Sequence, residues 1–157
     1  MTRTTAATTE VTTRPRSGLR GALARRWPTA LGVVAAVNSL VLLARFPAPV
    51  QVWVSAWCVL LAAVIYLTWG TARGDLGNRR LLTAQTAAVL GFGAIALAAV
   101  AVDPATARSV LAAGWLAHAA WDVVHHRLGR VVPRWYAETC LVSDLLVAVV
   151  LLTGSAA

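Results

Sequence analysis

Lysine is absent from this chain of 157 residues, and all 14 basic residues are arginine. That absence excludes a P-loop with its phosphate-binding Lys, a Schiff-base cofactor and any catalytic lysine. Charge is scarce: 13% of residues carry it, and only 6 are acidic, against about 25% charged residues in an ordinary soluble domain. Two cysteines, Cys58 and Cys140, are too few for a disulfide framework or an iron–sulfur cluster. Three histidines fall far short of the multi-histidine boxes of membrane desaturases. There is no His-Glu-x-x-His and no Gly-x-Ser-x-Gly, which removes the common metalloprotease and serine-hydrolase signatures.

Apolar residues fill the space left by charge. They make up 59% of the chain, and mean hydropathy is +0.70. A soluble protein this small has too much surface for its volume to hide so much apolar area. The first 26 residues stand apart, Thr-rich with six arginines and little to bury, and are expected to be a disordered cytoplasmic tail. Five apolar stretches follow, at about 27–44, 50–69, 81–102, 105–124 and 135–153. All five fit the window of about 17–25 residues that cross a hydrocarbon core of about 30 Å as a helix, the first only barely. They are Ala-, Leu- and Val-rich rather than alternating, which argues against a transmembrane barrel. The fold class expected is therefore all-α, a polytopic membrane helix bundle of about five transmembrane helices over 27–157.

Arginine placement sets the expected orientation. With the N-terminus inside, twelve of the fourteen arginines fall on the cytoplasmic side, and only Arg45 and Arg108 outside. This positive-inside bias predicts a multi-pass protein of the cell's inner (plasma) membrane, N-terminus cytoplasmic and C-terminus outside. Trp27, Trp69, Trp135 and Tyr136 then fall at the inner boundary, Phe46 and Trp53 at the outer one. The expected partners are the lipid bilayer and anionic headgroups at the cytoplasmic face. Nucleic acid is excluded, because topology already accounts for the arginines and no aromatics interleave them. No protein partner is indicated. A cleaved signal peptide is the competing reading of the first stretch; without a clear Ala-x-Ala site, a retained helix is expected.

Most polar residues in the spans read as interhelical hydrogen-bonding groups, among them Ser55 and Gln85. Gly91 and Gly93 read as close-packing positions, and Glu138 as a helix-dipole residue. The fourth stretch is different. His118, Asp122 and His125 lie within a stripe roughly 60° wide at 100° per residue, with His126 at its margin. The fifth adds Cys140 and Asp144, four apart on one face. A short connection makes the two helices an antiparallel pair. His118 and Asp144 are symmetric about Val131, as are Asp122 and Cys140, so the two polar stripes share their depths. Intramembrane carboxylates cost about 2.5–3.5 kcal/mol each on insertion scales and should face one another, away from lipid.

His118, Trp121, Asp122, His125 and His126, followed by Cys140 and Asp144, make the region from about Ala112 to Leu152 resemble a family of small, uncharacterised bacterial integral membrane proteins, a domain of unknown function. The resemblance implies a membrane-embedded site and brings no activity with it. Three readings of the site stay open. In the first, His118, Asp122, His125 and Asp144, with His126 and Cys140 as further donors, bind a divalent metal, Zn, Fe or Mn. The metal would serve an enzyme acting on a small or lipid-like substrate. In the second, a metal-free His–Asp pair relays protons or binds a polar ligand. In the third, the protein is a non-catalytic membrane subunit: His118–Asp144 locks two helices, Asp122 pairs with Arg127 or Arg130, and His125 and His126 favour a helix C-terminus.

Overall fold

The computed structural model describes residues 26–154. Among them are five α-helices: α1 Trp27–Leu43, α2 Ala48–Ala72, α3 Arg79–Val100, α4 Pro104–Leu128 and α5 Arg134–Thr153. A single 3-10 turn, Asp75–Gly77, joins α2 to α3, and no strand is present among the described residues. The protein is all-α. The expected disordered tail lies outside the described residues, apart from Arg26.

Local chemistry starts and stops these helices. Proline stands in the first turn of α1, α2 and α4, where a missing N–H costs nothing. Asp103 caps α4, its carboxylate accepting from Ala105 N at 3.0 Å and Thr106 N at 3.1 Å. At the other end α4 runs beyond its apolar stretch through His125, His126 and Arg127, and stops at Gly129 in the left-handed region.

Three of the five helices, α2, α3 and α5, are long and apolar enough to cross a membrane. The other two differ for separate reasons. α1 has 17 residues, about 25 Å of helix at 1.5 Å per residue. α4 has 25 residues, but its histidines, Asp122 and arginines make it less apolar than the other three.

The α4–α5 hairpin is the most extensively packed pair, and α2 and α3 close over α4. α1 runs along α5 and makes almost no contact with α2, although a four-residue turn joins the two. Gly32 brings α1 close to α5: a Cβ there would lie 2.5 Å from the Thr139 carbonyl oxygen. Gly114 does the same for α4 and α3, where a Cβ would lie 2.9 Å from Ile95. The expected close-packing glycines are not the ones used. Nothing lies within 4 Å of a Cβ at Gly91, and at Gly93 only Leu60, at 3.6 Å; the buried position between them is Phe92.

Much of the exterior is apolar, with Val34, Trp57, Leu90 and Leu97 all more than 60% exposed. Aromatic rings gather at one end: Trp27 meets Trp135 at 5.3 Å between centroids, and Trp69 meets Tyr136 at 6.1 Å.

Candidate functional site

Helical spacing on α4 turns His118, Asp122 and His125 inward, and all three are buried. The hairpin brings Asp144 of α5 to them, and α2 contributes Tyr66. His118 Nδ1 lies 2.7 Å from Asp144 Oδ2 and 3.6 Å from Asp122 Oδ1. The Tyr66 hydroxyl donates to the same Asp122 Oδ1. His118, Asp122 and Asp144 each offer a ligand atom, and these atoms lie within 4.8 Å of one another. Two buried atoms of the cluster, His118 Nε2 and Asp122 Oδ2, have no hydrogen-bond partner among the described residues, as is also true of Gln85 Oε1 and Trp121 Nε1 beside it. An unpaired polar atom in a buried site costs about 1–3 kcal/mol.

His125 stands beside this cluster, not in it. Its Nδ1 lies 2.9 Å from the Trp121 carbonyl and its Nε2 2.7 Å from Gln85 Nε2. A carbonyl only accepts, so Nδ1 carries the proton, and Nε2 of the neutral ring accepts from the Gln85 amide. Both nitrogens are engaged. Tyr66 lies edge-on to both imidazoles, at 5.4 Å from His118 and 5.0 Å from His125. His126 and Cys140 are half-buried, and neither shares in the three-residue cluster.

The arginines proposed as partners for Asp122 lie elsewhere. Arg130 sits 4.0 Å from Asp75, which also pairs with Arg73 at 3.4 Å. Asp75 Oδ2 accepts from the Val131 amide at 2.9 Å. That amide, with Arg73 and Arg130 beside it, holds the Asp75 carboxyl below the usual carboxylate range. Val131 has a φ of +70°, which a β-branched residue rarely adopts. The loop it distorts carries fully buried Val131 and Val132 onto Tyr66 and Ala137, closing one end of the site.

Gln85 makes the interhelical hydrogen bond expected of it, here to His125, whereas Tyr66 and Glu138 gain roles that sequence reasoning did not assign. A lone phenol within the second apolar stretch was the available signal for Tyr66. Glu138 Oε1 accepts from Thr29 Oγ1 at 2.5 Å, fastening α1 to α5.

Fold and site together define a helical protein with membrane-length segments and a buried imidazole–carboxylate cluster. The chain belongs to DUF6010, a family of unknown function, which it matches over residues 28–157. No curated protein and no solved structure matches it.

Proposed function

We propose that this protein is a five-span, inner-membrane protein with its N-terminus in the cytoplasm. It holds one divalent cation at His118, Asp122 and Asp144 and acts there on a small or lipid-like substrate. Anionic headgroups at the cytoplasmic face pair with Arg79, Arg80 and the other inside arginines. One observation carries the metal reading: two carboxylates and one imidazole converge within 4.8 Å in a buried site, and neither carboxylate has an arginine partner among the described residues. Two carboxylates with a neutral imidazole carry a double negative charge, which is costly to bury unless compensated. A divalent ion balances it, and nitrogen with carboxylate oxygen is a donor set that Zn²⁺, Fe²⁺ and Mn²⁺ accept.

Bound there, the ion would supply Lewis-acid chemistry. Tyr66 orients Asp122 by its hydrogen bond and offers the proton nearest the site. The loop at Val131 and Val132 shields one end of the site from water.

The second reading, a proton relay, is favoured by one distance. Donors on a tetrahedral ion with bonds of 2.0–2.2 Å lie about 3.4 Å apart, whereas His118 and Asp144 are at the 2.7 Å of a hydrogen bond. Elemental analysis of protein purified without chelator separates the two. Stoichiometric metal that disappears in both His118→Ala and Asp144→Ala is the expected result. Metal that survives both substitutions rejects the site, and a metal-free parent favours the relay or the structural lock of the two helices.

A further inference from the structure

A cavity of about 480 Å³ opens at the end of the bundle remote from the clustered aromatic rings, where α1 and α2 diverge. α1 departs along α5, and α2 along α3 and α4, leaving a wedge between two helices that share a tight turn and little else. Leu40, Leu43, Val52, Leu111 and Leu151 make its walls apolar. Its floor is Ser55, whose hydroxyl accepts from Trp115 Nε1 at 3.1 Å. From Ala48 to Ser55 the wedge runs two helical turns, about 10 Å deep. Its volume lies within the range of ligand-binding pockets, about 300–1,000 Å³.

The mouth of the wedge is cationic. Arg108 lines it, bonded among the described residues through Nη2 alone, to the carbonyls of Leu151 and Gly154. Arg45 is exposed in the turn whose neighbours Ala44 and Phe46 also line the cavity. The nearest carboxylate on α4, Asp103, is occupied in capping that helix. These two arginines are the pair that the charge bias assigns to the outer side. Topology does not account for them there: Arg108 lines the apolar opening, and Arg45 stands in the exposed turn at its rim.

We propose that the wedge binds one anionic phospholipid of the surrounding bilayer, its phosphate at Arg108 and Arg45 and an acyl chain between α1 and α2. An apolar slot open to the hydrocarbon fills with a lipid tail, and guanidinium groups match phosphate geometry. The site is separate from the imidazole–carboxylate cluster and does not depend on its metal.

Native mass spectrometry of the delipidated full chain, given phosphatidylglycerol or phosphatidylcholine with identical tails, tests it. One phosphatidylglycerol should be retained under activation that strips phosphatidylcholine. Arg45→Gln should lower that occupancy several-fold, and Arg45→Gln with Arg108→Gln at least ten-fold. Ala48→Trp, which puts an indole in the wedge, should remove it. Because Arg108 also ties the end of α5, the Arg45→Gln variant, altered only in an exposed turn, keeps the test clear of a folding defect. Equal retention of the two lipids overturns the proposal, as does full phosphatidylglycerol binding by either the double-arginine or the Ala48→Trp variant.

Discussion

At the scale of single residues, the two buried histidines differ in what their nitrogens have left to offer. His118 has one nitrogen between two carboxylates and one without a partner. His125 has both engaged, one by a backbone carbonyl and one by Gln85. Metal should therefore be lost in His118→Ala and kept in His125→Ala, as measured by elemental analysis of the two variants. Equal loss would place His125 among the ligands. Tyr66→Phe removes the phenol that donates to buried Asp122 and should cost about 1–3 kcal/mol. Thermal unfolding in detergent checks this, and an unchanged midpoint would mean Asp122 has another donor. His118, Asp122 and Asp144 were legible in the sequence because one helical period and one short hairpin suffice to bring them together. Tyr66 was not, because the rotation of α2 about its own axis is set by contacts between distant segments; Gln85 was legible as an interhelical hydrogen-bonding group, but its partner His125 was not. Glu138 was read as a first-turn helix-dipole residue, but α5 starts at Arg134 and has no acidic residue in its first turn; its partner Thr29 lies 109 residues away.

At the scale of elements, α1 and the Asp75 loop are each held by a few identifiable groups. Gly32→Val would drive side-chain carbon into the Thr139 carbonyl and Val142. Overpacking of this kind typically costs about 1–3 kcal/mol. The variant should melt earlier and be cut faster by protease near α1, while a melting point equal to the parent's would show that α1 is not seated on α5. The Asp75 contact is pH-dependent, with a definite sign. Folding lowers the pKa of this carboxyl, chiefly through the Val131 amide, so the fold favours the ionised form. Its stabilisation is complete above the unfolded pKa of about 4 and falls as pH drops through the lowered folded value. Asp75→Asn should cost about 1 kcal/mol at neutral pH and flatten the acid limb of the stability curve. A variant with the parent's acid limb would assign that limb to other carboxyls. Helix positions were visible in the apolar stretches and their Pro and Gly punctuation. The positive φ of Val131 was not, since nothing local asks a valine to adopt it.

At the scale of the whole molecule, the arginine bias makes one claim about sidedness. A reporter active only in the cytoplasm should be silent when fused after Ala157, and one active only outside should be functional there. The opposite pattern would require an even number of spans and leave either α1 or α4 out of the bilayer. Those two helices are the ones whose length or polarity falls short when each is considered alone.

Chain order and packing order part company at α1. Of the five described helices α1 is synthesised before the others, yet its packing partner, α5, follows all of them. His118 likewise waits for Asp144 on that same helix. Until α5 arrives, the nascent chain carries both a helix without a neighbour and an imidazole without its carboxylate. A chain truncated before Arg134 would keep both defects, so the buried site is complete only once α5 has been made.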